Sequence, residues 1–144
     1  MSDDYLERNR VSRERLAAII ARLGERTVVL RDGWTAAALL AHLAFWDRFA
    51  ATRLAKYVRD REPMVFLNDA FFELVNTAGL PQWTATPLGA AAADATGSAD
   101  AGDMLIARLT ADELAAIRLL GRPRLLDRSG HRNEHLDQLE RALE

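Results

Sequence analysis

The chain has no cysteine among its 144 residues. That excludes a disulfide framework, a thiolate metal site and a cysteine nucleophile. Any reacting thiol would have to arrive with a substrate or cofactor. Lysine is nearly missing as well: Lys56 is the only one among 19 basic residues. Together with abundant alanine, that bias fits a GC-rich bacterial genome better than a particular function. There is no excess of one charge. The formal net charge of -2 supplies no basic field for nucleic acid or an anionic membrane. Apolar runs stop well short of the roughly 18 residues that suggest a membrane span. The opening Met1-Ser2-Asp3-Asp4 is acidic and lacks the basic-then-apolar order of a signal peptide. These absences leave a small-molecule partner and a cytoplasmic location as the expectation.

What remains is ordinary globular composition. Apolar residues at 49% can fill an interior, and charged residues at 28% can solubilise its outside. The length suits one domain, spanning 1–144, with one core. Helical periodicity dominates. A first helix is expected over 3–23, where Leu16, Ile19, Ile20 and Leu23 recur at helical spacing and Gly24 stops it. Its Arg8, Arg10, Arg13 and Arg15 are read as a solvated side. Thr35 is an expected N-cap for a second helix over 36–60, closed by Pro63. Steps of three and four along it bring Leu39, His42, Trp46, Phe49, Arg53 and Tyr57 onto one inner face.

Residues 64–77 read as a short helix or helical crossover, broken by Gly79-Leu80-Pro81. Thr86-Pro87 then opens a third long helix over about 87–109. Its Ala90–Gly102 stretch, rich in Ala, Gly, Ser and Asp, reads alternatively as a flexible linker. Thr110 and Glu113 match a capping box for a short helix over 111–120, with Gly121 and Pro123 as a break. The last helix starts between Arg124 and Gly130, with Ser129 as an alternative cap, and ends near Leu143. The only strand-like run is Thr27-Val28-Val29-Leu30.

The chemistry is concentrated in the three histidines. His131 and His135 form an HxxxH pair. Four residues along a helix differ by about 40° in direction and about 6 Å in rise, so both imidazoles face one way. His135, Leu139 and Ala142 continue an apolar line, which turns the pair inward. His42 lies on the inner face of the second helix. Taken alone, His42 reads as a core histidine, and HxxxH reads as a pair on a solvated face. Taken together, all three point to one divalent ion. Three neutral imidazoles suit zinc, nickel, copper or iron(II) better than magnesium or calcium, and they leave a position open for water or substrate.

Further candidates have two readings each. Trp34 and Trp46 belong to the core or to a pocket wall. Trp83, in an expected loop, lines an entrance or packs. Asp47 either orients a ligating imidazole or pairs with an arginine. Asn68 either bonds near the pocket or caps the 69–77 segment. Arg53 either meets an anionic group or snorkels from the rim. Glu134 reads as a surface carboxylate near Arg132 and Arg141.

At these residues the sequence resembles a known superfamily. Gly33-Trp34-Thr35, Leu39-Leu40-Ala41-His42-Leu43 and Trp46-Asp47 look like the second-helix signature of DinB-like proteins. Arg128-Ser129-Gly130-His131-Arg132-Asn133-Glu134-His135-Leu136 is similar to their last-helix HxxxH. Leu67-Asn68-Asp69-Ala70 resembles the segment they place between helices two and three. The resemblance implies an all-α four-helix bundle, up-down-down-up, with a long crossover between helices two and three. It implies a homodimer, and His42, His131 and His135 on zinc, nickel or a similar ion. Trp46, Arg53 and Asn68 are the candidate pocket residues. Relatives of this kind include mycothiol- or bacillithiol-dependent S-transferases, mycothiol-dependent maleylpyruvate isomerases and stress proteins. The expected function is thus a thiol-dependent S-transferase acting on small electrophiles. Metal-dependent hydrolysis and non-enzymatic binding of an apolar ligand in a cavity walled by Trp46, Phe49 and Phe72 are the alternatives. No catalytic residue is assigned by the sequence.

Overall fold

A computed structural model describes residues 4–144, and the acidic reading of Met1 to Asp3 lies outside them. Among the described residues the chain forms six α-helices and no strand. They are α1 (Tyr5–Leu23), α2 (Ala36–Asp60), α3 (Asp69–Ala85), α4 (Leu88–Ala107), α5 (Ala111–Arg118) and α6 (Ser129–Leu143). A short 3-10 turn, Pro123–Leu125, precedes α6. The strand-like run near Val29 makes only an isolated bridge to Thr35.

Local signals account for most boundaries. The Thr35 hydroxyl accepts from the Ala38 N–H and starts α2. At the other end Arg61 adopts a left-handed conformation, φ 55°, two residues before Pro63. Both halves of the Thr110–Glu113 capping box are present. Asp127, rather than Ser129, holds the start of α6: its Oδ1 accepts from the Ser129 N–H at 3.0 Å and the Ser129 hydroxyl at 2.5 Å.

Two expectations change. The 64–77 helix begins at Asp69 and continues through Gly79-Leu80-Pro81 to Ala85. Gly79 is not a breaker here. A Cβ at that position would lie 2.6 Å from the Trp83 ring, because a helical side chain leans back over the preceding turn. Glycine makes room for a buried tryptophan, and Trp83 sits on a helix rather than in a loop. The second change concerns the Ala-rich stretch, which is helix and not linker. Ala91, Ala95, Ala99 and Gly102 recur at helical spacing and are buried. They let α4 approach α2, where Ala38, Ala41 and Ala44 are buried as well. Small side chains on both partners are the physical reason for this close contact.

The main apolar cluster joins α1, α2, α4 and α6 through Leu16, Ile19, Leu40, Leu43, Ala95, Leu136 and Leu139. A second cluster at the other end of α2 gathers Leu54, Ile106, Ile117, Leu125 and Leu126. Polar pairs set the helix directions. Along α1 and α6 they ascend together, from Arg8–Asp127 through Arg15–Asp137 to Arg22–Glu140. Of the α1 arginines read as solvated, Arg13 and Arg15 thus tie α1 to α4 and α6, Arg8 ties it to Asp127 just before α6, and Arg10 pairs with Glu7 and Glu14 on its own helix.

Candidate metal centre

His42 reaches the site from the second turn of α2, and His131 and His135 from the first half of α6. A buried ionic network holds these helices in register. Asp47, one turn beyond His42, accepts from Arg128 and Arg132 through separate oxygens, both at 3.0 Å. Arg132 is only 1% exposed and also donates to both oxygens of Asp103 at 2.7 and 2.8 Å and to the Ser12 hydroxyl at 3.2 Å. Arg13 supplies a second cation to Asp103 at 2.6 Å. Asp47 therefore pairs with arginines and does not touch an imidazole. Arg132, read from the sequence as a surface neighbour of Glu134, is instead the largest fully buried side chain.

That register brings the three imidazoles together. One nitrogen from each ring lies within 4.8 Å of the other two. His42 Nε2 and His135 Nε2 are 3.2 Å apart. Two imidazoles on a tetrahedral zinc ion, with Zn–N near 2.0–2.1 Å, stand about 3.3 Å apart. The first pair already has that spacing. His135 Nδ1 faces Gln138 Oε1 at 2.8 Å, the contact that fixes the tautomer of a ligating imidazole and presents its other nitrogen. His42 Nδ1 and His131 Nδ1 are buried with no hydrogen-bond partner. Leaving such an atom unsatisfied costs about 1–3 kcal/mol, which is unusual for two rings in one place. Burial, then the nearby charge of His135, holds the His42 imidazole down at about 3. Burial, then His135, Arg128, His42 and Arg124, holds that of His131 down at about 2. Both rings are thus neutral at pH 7, the form that binds a metal.

The triad opens into a cavity of about 570 Å³. Trp34, Leu39, Trp46, Phe49, Phe66 and Phe72 form its apolar wall. Most of the α2 stripe expected from the sequence lies on this wall, including Arg53. Trp46 donates from its indole N–H to Asn76 Oδ1 at 2.8 Å. The Arg53 guanidinium donates to the Val65 carbonyl and leans on the rings of Phe49 and Phe66. Asn68 lies off the wall: it is exposed, and its Oδ1 caps α3 by accepting from the Phe71 N–H at 2.9 Å. Trp83 is buried behind the site, its ring 5.2 Å from that of His42. Glu134 is exposed, as its surface reading expects, and lines the cavity together with Asp32.

Several wall residues carry no motif. Asn76, Arg122 and Arg124 come from the crossover and from the break before α6, and no periodicity links them to the histidines. Gln138 was findable, since it follows His135 by three and shares its helix face. No family model, no curated protein and no solved structure matches the chain, so the centre stands on its own residues.

Proposed function

We propose that this chain is a metal-dependent enzyme of the DinB-like kind, most simply an S-transferase that joins a low-molecular-weight thiol to a small electrophile. The convergence of His42, His131 and His135 within 4.8 Å carries the reading. The nitrogen-only donor set favours zinc or nickel. Bound there, the ion would supply Lewis acidity to a thiol or carbonyl. The chain's own residues would do the rest: Gln138 would orient His135, and the aromatic wall would exclude water and hold the electrophile. The lack of cysteine fits an imported, mycothiol-type thiol. The same reading takes α1, α2, α4 and α6 as a four-helix bundle, up-down-down-up, with α3 inside the crossover. It brings a cytoplasmic homodimer and a role in stress protection with it.

Protein purified without a histidine tag tests the proposal. One equivalent of zinc or nickel is expected by elemental analysis. Conjugation of monochlorobimane to mycothiol should require that metal and be abolished in His135→Ala. Equal conjugation by metal-stripped protein would refute the transferase. Glu134 on the cavity wall favours a second reading, metal-dependent hydrolysis with that carboxylate as general base. Ester or lactone turnover without any thiol, lost in Glu134→Gln, would select it.

A further inference from the structure

The cavity carries positive charge that three metal-binding imidazoles do not need. Arg53, Arg122, Arg124 and Arg128 all line it. Arg128 is committed to Asp47. The other three make no ion pair among the described residues. Arg53 and Arg122 converge on the Phe66 ring, with guanidinium carbons 5.5 and 4.1 Å from its centroid. Burial, and then repulsion from Arg122, lowers the pKa of Arg53. Arg122 and Arg124 are exposed where the wall meets solvent. Like charges gathered without a counter-charge cost free energy, and guanidinium groups are suited to planar oxyanions. Of the two carboxylates of the wall, Glu134 adjoins His135 and Asp32 precedes the first turn of α2, and neither forms an ion pair with Arg53 or Arg122 among the described residues.

A ladder of rings joins the arginines to the histidines. His42 meets Trp46 at 6.5 Å between centroids, Trp46 meets Phe49 at 5.3 Å, and Arg53 lies 5.4 Å from the Phe49 ring. From position 42 to position 53 a helix rises about 16 Å. The Arg53 side chain shortens that span, because helical side chains lean toward the N-terminus. A cavity of 570 Å³ has room for an organic molecule stretched along this ladder.

We infer that this cavity binds an elongated amphiphilic anion, its oxyanion head at Arg53 and Arg122 and its apolar body along Trp46, Phe49 and Phe66. The inference rests on the metal-centre reading only for which end reacts: the end remote from the charge would lie at the histidines. Carboxylate, sulfonate and phosphate heads share the required chemistry.

The test compares two fluorescent probes with one aryl skeleton, 8-anilinonaphthalene-1-sulfonate and the uncharged N-phenyl-1-naphthylamine. The sulfonate is expected to bind at least tenfold more tightly, although the neutral probe is the more apolar. Its affinity should fall with added salt. Arg122→Ala should weaken the sulfonate about tenfold and leave the neutral probe unchanged. Arg122→Lys should restore much of the loss. Arg122 is exposed, and circular dichroism checks that each variant is folded. Equal affinity for both probes, or an equal loss of both in the alanine variant, overturns the inference. Each titration is run with metal-stripped and zinc-loaded protein. A sulfonate preference in protein that takes up no zinc keeps the anion site and removes the metal centre. Stoichiometric zinc without that preference does the reverse.

Discussion

Gln138 illustrates how much one side chain can decide. Its contact with His135 Nδ1 selects the nitrogen that faces the other rings. Gln138→Leu should keep the fold and lower zinc affinity by about 10–100-fold, read by competition with a chelating dye. An unchanged affinity would mean that His135 is oriented by packing alone. Arg132 decides register rather than chemistry. Arg132→Met leaves Asp47 and Asp103 with one cation each, Arg128 and Arg13. Losing the shared partner of two buried carboxylates should destabilise the chain by about 3 kcal/mol, measured by urea unfolding. A loss below about 1 kcal/mol would show that the network contributes little. The histidines and their inward direction were legible as residue types at a spacing. The identity of Arg132 as a buried cation was not, because an arginine between two histidines looks the same whether its partners are water or two distant aspartates.

At the scale of elements, α2 follows its sequence closely and α3 does not. Thr35, the apolar stripe and Pro63 agree on one helix, and each acts within a few residues of itself. Gly79 and Pro81 argue locally for a break and are overruled by Trp83, whose burial against Trp34, His42 and Phe45 needs the helix to continue. Gly79→Ala tests this directly. Its Cβ would meet the indole at 2.6 Å, so the ring must move. A destabilisation of about 1–3 kcal/mol is expected, with a change in tryptophan fluorescence. Gly102→Ala is the contrast: its Cβ would meet Ala51 at an ordinary 3.8 Å, and the helix gains a better former. Stability should hold or rise there.

Across the whole molecule, folding buries two imidazoles that an unfolded chain would protonate near pH 6.5. In the native state His42 and His131 stay neutral down to about 3 and about 2. Below about pH 6.5 the unfolded state therefore binds more protons. The stability is complete above that pH and falls as pH drops toward the native values, by up to about 1.4 kcal/mol per pH unit for each ring. Urea unfolding of metal-stripped protein at pH 7.5 and 5.5 should show a lower midpoint at the acid end, and His131→Leu should lose less. Indistinguishable midpoints would mean that both rings take up protons in the native state. Added zinc should raise the midpoint at pH 7.5, because binding selects the folded form.

Helix class, most helix ends, the inner face of α2 and the pairing of His131 with His135 were all determined by the sequence itself. Each depends on interactions within about one or two turns: a capping hydroxyl, a proline, or side chains repeating at 3.6 residues. Tertiary structure alone decided that His42 meets that pair, that Asp47 serves arginines instead of imidazoles, and that Arg122 joins Arg53 beside Phe66. These contacts join residues far apart in the chain. Their distances depend on how α2, α4 and α6 pack, and no local periodicity encodes the gap between two helices.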